Sequence, residues 1–231
     1  MLNITKIKDA LYKQATIFQT GGFRPTEELG ESWIGKVLWG KEREAETYSS
    51  NYDPIFTIFL NQLPYVPREL NRYQLITVYM DFNVFNNLNK DNLVSYFKIN
   101  CYTHLDGLQK INKQSLKIKS FPLTPLIINN DAPSWEDSDS IAPDIENAIT
   151  RLESDEGMEY YEDIVEKIYS THKVGGYPSF TQSGVSFGED YSFVFQISSD
   201  EKAQFNIVDS GSFYFFFNQE KQDWIVYCDF Y

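Results

Sequence analysis

A chain of 231 residues with 42% hydrophobic and 16% aromatic side chains holds enough apolar surface for a full core, which excludes disorder of the whole chain. Its net charge of −13 and the lack of any basic patch exclude a phosphate backbone as a general partner, so no nucleic-acid role is expected. Two cysteines, Cys101 and Cys228, make no disulfide framework, and the longest apolar runs, "IFTIFL" and "FYFFF", are too short to span a bilayer.

In chain order, Ile4, Ile7, Leu11 and Phe18 fall close to helical spacing, and the pattern predicts an amphipathic helix over residues 3–16. This N-terminus lacks a continuous apolar run, so it is not a signal peptide, and a cytoplasmic location with no membrane attachment is expected. Gly21 and Gly22 close the helix or a short strand after it, and "SWIGKVLWGK" reads as one short strand. "KEREAETYSSNYD" is polar and reads as a loop. "PIFTIFLNQL" is a strand buried on both faces, and "LPYVPREL", with two prolines, is an irregular connection. "QLITVYMDF" and "LVSYFKINCYTH" are further strands, the second with Leu93, Ser95, Phe97, Ile99 and Cys101 on one face.

"NNDAPSWEDSDSIAP" is the most loop-like part of the chain, and Pro143 suits the first turn of a helix. Ile145, Ala148, Ile149 and Leu152 form one helical stripe. After "SDEG", Met158, Tyr161, Ile164, Val165 and Ile168 resume it, which predicts two helices or one kinked helix. Residues 131–170 carry 13 acidic side chains and 2 basic ones, a net of −11. That charge is either a solvated helical face or a surface for a basic partner. "YSFVFQIS", "GSFYFFFN" and "DWIVYCDFY" complete the chain as an antiparallel meander.

The two halves, about 1–130 and 140–231, read as a weak repeat: helix, double glycine, aromatic residue and proline, a strand carrying Gln, then an aromatic strand. The glycine pairs, Gly21–Gly22 and Gly175–Gly176, would turn the chain sharply from helix into sheet. "TGGFRPTEELGESWIGKV", "LPYVP…LITVYMD", "APSWED", "HKVGGYPSFTQ", "VFQISSDEKAQF" and "VDSGSFYFFF" occur in that order, and together they resemble the YwqG-like family of uncharacterised bacterial proteins. The resemblance covers Gly21 to Tyr231. It implies a single α+β domain with mostly antiparallel sheets, and no known catalytic residues. It also implies a toxin-gene neighbourhood for some relatives, and so an immunity-type inhibitor of a basic toxin.

The remaining motifs carry little chemistry. "NIVDSGSF" has the Asp-Ser-Gly of an aspartic protease, which needs two such carboxylates; one copy is a plain turn. Cys101 and His104 are three apart on a strand and point to opposite faces, so no metal site is expected, and no local signature supports pairing His172 with Cys228 as base and nucleophile. The glycine pairs lack the Lys-Ser/Thr of a phosphate loop, so no cofactor is expected either. Glu136, Asp137 and Asp139 are solvated loop charge rather than a calcium loop. Trp135 either pins its loop to the core or faces a partner, and Trp33 is a further binding candidate.

Two function classes therefore stand. The first is a non-enzymatic protein-binding module that uses the acidic surface around Glu159, Glu162 and Glu166, or an aromatic cleft between the halves. The second is an enzyme with its site between the halves and His172 as general base; the plain alternative makes His172 a structural residue at a helix C-terminus.

Overall fold

A computed structural model describes residues 3–42, 44 and 51–231. The loop expected over residues 41–53 falls for the most part outside the described residues. Among the described residues, no helix is long and apolar enough to cross a membrane.

The N-terminal helix is α1 (Ile4–Leu11), capped by the Asn3 side chain on the Lys6 N–H at 3.0 Å. It stops there. Residues 13–16, expected to continue it, belong to strand β1 (Lys13–Thr20). Phe18 matches helical spacing only by coincidence, because Thr16, Ile17 and Thr20 are β-branched and neighbouring strands take the β1 backbone on both sides. "SWIGKVLWGK" divides at Gly35 into β2 (Ser32–Ile34) and β3 (Lys36–Gly40), which join different sheets. The later strands are β4 (Tyr52–Phe59), β5 (Leu75–Asp81), β6 (Phe97–Tyr102), β7 (Gln109–Gln114) and β8 (Phe121–Asp131). Leu93 and Ser95 precede β6 and do not share its face, since residues 94–96 form a short 3-10 turn.

The acidic segment forms one helix, α2 (Pro143–Glu156), with Pro143 at its start and Gly157 in a left-handed cap at its end. The expected second helix is a single π-helical turn, Tyr160–Ile164. Ile145, Ile149, Leu152 and Ile164 are buried as the stripe requires, whereas Tyr161 points outward at 48% exposure. Strands β9 (Lys173–Gly175), β10 (Ser192–Ser198), β11 (Ser212–Asn218) and β12 (Asp223–Asp229) follow.

Among the described residues, ten strands form one antiparallel sheet in the order β12-β11-β10-β9-β1-β8-β2-β4-β5-β6, with β3 and β7 as a separate ribbon. Mostly antiparallel sheet with few helices is the α+β architecture that the strand patterns anticipate. Outward from the central pair, each wing runs in the same way: a three-residue strand, then three antiparallel strands. The three-residue strands are β2 and β9, each closed by a glycine with positive φ, Gly35 at +71° and Gly175 at +77°. By sheet position, then, Gly175 corresponds to Gly35. Gly21 follows β1 and Gly175 is the last residue of β9, so the expected passage from helix to sheet through a glycine pair does not occur.

The wings fold over one core. Phe56, Val78 and Phe97 of one meet Val194, Phe213, Phe215 and Phe217 of the other, with Phe97 edge-on to Phe213 and Phe215 at 5.2 and 5.4 Å. A second cluster holds α1 and α2 together through Ile7, Leu11, Ile145 and Ile149. The other face of β11 is aromatic too: Tyr214 and Phe216 pack under Phe180 and Phe187.

Candidate functional site

His172 lies in the core at 2% exposure, just ahead of β9 and not at a helix C-terminus. Its Nδ1 accepts the Ser198 N–H at 3.0 Å, which places the ring proton on Nε2, facing Asp200 Oδ2 at 3.3 Å. Burial of Asp200 opposes its ionisation, but His172, the Thr20 hydroxyl and the Ala203 N–H outweigh this and hold the carboxyl well below the usual range. With Nδ1 occupied and Nε2 protonated, the imidazole offers a substrate no lone pair.

The other candidates are scattered. Trp33 is 4% exposed, with the Lys36 ammonium over its ring at 4.5 Å, and presents no surface. Trp135 packs on Tyr160 at 4.9 Å and pins its loop to the helical cluster. Glu159, Glu162 and Glu166 are exposed beside the π-helical turn; Glu166 accepts from Asn130 at 2.9 Å. Burial pushes both thiols, Cys101 and Cys228, up to about 12, so neither is a nucleophile at neutral pH. Asp209 and Ser210 sit in a positive-φ turn before β11. Among the described residues, no group of three or more His, Cys, Asp or Glu side chains is placed to hold a metal ion.

A different set of residues meets in a cleft of about 540 Å³. Lys13, at the start of β1, and Tyr177, just past β9, form one side. Tyr65 to Glu69 form a second, tied over β1 because Thr16 Oγ1 both donates to the Tyr65 carbonyl at 2.8 Å and accepts the Tyr65 N–H at 3.1 Å. Phe180, Phe187, Phe193 and Phe216 supply an apolar wall, and Asp137 with Ser140 closes the remaining side.

Asp131 fixes the geometry of this cleft from below. Its carboxylate takes both bonds of the Lys173 ammonium, at 2.9 and 3.0 Å, and the Tyr177 N–H at 2.8 Å, with both side chains 1% exposed. Gly176 lies directly against that carboxylate with φ +71°, so any side chain there would overlap Asp131 Oδ2. Tyr177 is thereby held with its hydroxyl on the Leu11 carbonyl at 2.8 Å and its ring under the Lys13 ammonium at 3.8 Å.

The charges lining the cleft are Lys13, Arg68, Glu69, Asp137 and Asp139; Asp139 is exposed. Arg68 and Glu69 bind each other at 2.9 Å. Among the described residues, Lys13 and Asp137 form no ion pair within 4 Å, and Asp137 Oδ2 is buried without a hydrogen-bond partner. Asp137, expected as solvated loop charge, is in fact 3% exposed. Lys13 is exposed, yet desolvation by the groups around it lowers its pKa; burial raises that of Asp137 from 3.8 to about 6, a shift that a hydrogen bond from Ser140 opposes and the neighbouring Asp139 adds to.

An acid whose folded pKa lies above its unfolded one costs stability as pH rises. Below 3.8 the group is neutral in both states; above it the unfolded chain ionises first, and the cost is complete once the folded carboxyl ionises near 6. Asp137→Asn removes that cost. Relative to wild type, its unfolding free energy in urea is expected to gain roughly 2 kcal/mol between pH 4.5 and pH 8. A flat difference across that range would mean the carboxyl is solvated.

A family model described as a domain of unknown function (DUF1963) matches residues 63–223, well over half of the chain. The matched span contains Asp137, Lys173, Gly176 and Tyr177, while Lys13 lies before it. No curated protein matches the chain.

Proposed function

The chain belongs to the DUF1963 family, whose domain is of unknown function, and from that premise we propose that it is a binding module whose cleft beside Tyr177 captures a small ligand. The observation that carries this is Asp137: a carboxylate 3% exposed, with an oxygen lacking a partner, in a cleft that has an aromatic wall. A purely structural position would favour a neutral residue there, because burial makes the charge costly. Retaining a destabilising charge in a cleft is the trade a binding site makes.

The acidic surface has no such feature, since Glu159, Glu162 and Glu166 are exposed and Glu166 already accepts from Asn130. An enzymatic role for His172 has less support, since its Nδ1 is committed to Ser198. The ordered motifs from Gly21 to Tyr231 favour the YwqG-like branch of the family and a bacterial source.

The test is a thermal-shift screen spanning amines, carboxylic acids, amino acids, sugars and nucleotides. At least one class is expected to raise the Tm of wild type and to lose its effect in Ser186→Trp, which fills the mouth of the cleft. If no stabilising compound is sensitive to that substitution, the cleft is not a ligand site.

A further inference from the structure

Among the described residues, the cleft presents a basic group, Lys13, and a buried acidic group, Asp137, neither of them in an ion pair, over an aromatic floor; Asp139, which also lines it, is exposed. The Lys13 ammonium stands on the face of Tyr177, with no ion pair within 4 Å among the described residues. Asp137 closes the far side with an unpartnered buried oxygen. The two are close enough for Asp137 to act electrostatically on Lys13, yet they do not touch. Where two opposite charges meet in a protein, a direct salt bridge is the ordinary outcome; here both are held apart by their own elements, β1 and the loop after β8. Lys13 is anchored on the strand that pairs with β8 and β9, and Asp137 by its N–H on the Ser134 carbonyl at 2.9 Å.

A ligand that fits between them carries a cation toward Asp137 and an anion toward Lys13. A simple cation would leave Lys13 as a repelling neighbour; a simple anion would face Asp137 in the same way. The wall formed by Phe180, Phe187, Phe193 and Phe216 adds an apolar requirement to the body of the molecule. Resting on the cleft being a ligand site, we propose that it binds a small zwitterion with an aromatic or large apolar body, the chemistry of a free amino acid, its ammonium on Asp137 and its carboxylate on Lys13.

The two positions suit a direct test. Asp137→Asn keeps the shape and removes a destabilising charge, and Lys13→Met removes the charge of an exposed residue that forms no ion pair among the described residues, so both variants are expected to fold. Calorimetry at pH 7.5 compares L-phenylalanine with phenethylamine, which lacks the carboxylate, and 3-phenylpropionate, which lacks the ammonium. Phenylalanine is expected to bind, with each single-charge analogue weaker by about tenfold or more. Asp137→Asn should abolish the advantage of phenylalanine over 3-phenylpropionate, and Lys13→Met its advantage over phenethylamine. Equal binding of phenethylamine and phenylalanine overturns the zwitterion, as does an unchanged pattern in both variants. If nothing in this trio binds but another class in the broader screen is lost in Ser186→Trp, the zwitterion fails and the ligand site stands. If no class is lost there, both fail.

Discussion

Lys173→Met is expected to lower the unfolding free energy by about 3–5 kcal/mol, measured by urea denaturation at neutral pH. The substitution keeps the volume and the apolar stem but leaves Asp131 charged, 0% exposed and held by the Tyr177 N–H alone. An uncompensated charge in a low-dielectric interior is among the few single changes that cost this much, and a domain has only about 5–15 kcal/mol to lose. The double variant Lys173→Met/Asp131→Leu should recover most of the loss, because it removes both charges together. A loss below about 1 kcal/mol in the single variant would show that water reaches the pair.

The second large effect is at Gly176. An alanine there must hold φ near +71°, which costs about 1–2 kcal/mol, and its methyl would overlap Asp131 Oδ2 and come within 3.1 Å of Ala15 Cβ. Asp131 must then move off Lys173, so the total should approach about 4–5 kcal/mol. Gly157 provides the control. It has nearly the same φ, +69°, and nothing within 4 Å of an added methyl, so Gly157→Ala should cost only the backbone portion, about 1–2 kcal/mol. If the two variants lose the same amount, the backbone alone sets the cost and Asp131 yields freely.

Most of the sheet was readable from residue pattern, because β4, β5, β10, β11 and β12 are apolar runs bounded by turn residues. The central strands were not. β1 continues the helical spacing of α1 and declares itself only through its partners β8 and β9. β8 carries Pro122 and Pro125, residues that argue against an interior strand. Pro125 is tolerated because it sits opposite Phe18, whose N–H turns away to the His172 carbonyl, and because β2 on its other side has already ended. The cleft was legible only as an aromatic cleft without an address. Asp137 lies in the most polar stretch of the sequence, and nothing local signals that residues 177–193 would cover it. Nor does the sequence around Lys173 signal its burial, which depends on Asp131, some forty positions earlier in the chain.

The position of β1 at the middle of the sheet governs how the protein comes together. Its residues pair with Leu123–Asp131 on one side and Lys173–Gly175 on the other, so an early strand waits for segments made more than a hundred residues later. Until those arrive, the wing of β4, β5 and β6 has no facing layer, and Phe56, Val78 and Phe97 stay uncovered. Such distant closures make assembly slow and leave the growing polypeptide dependent on protection from self-association at the ribosome.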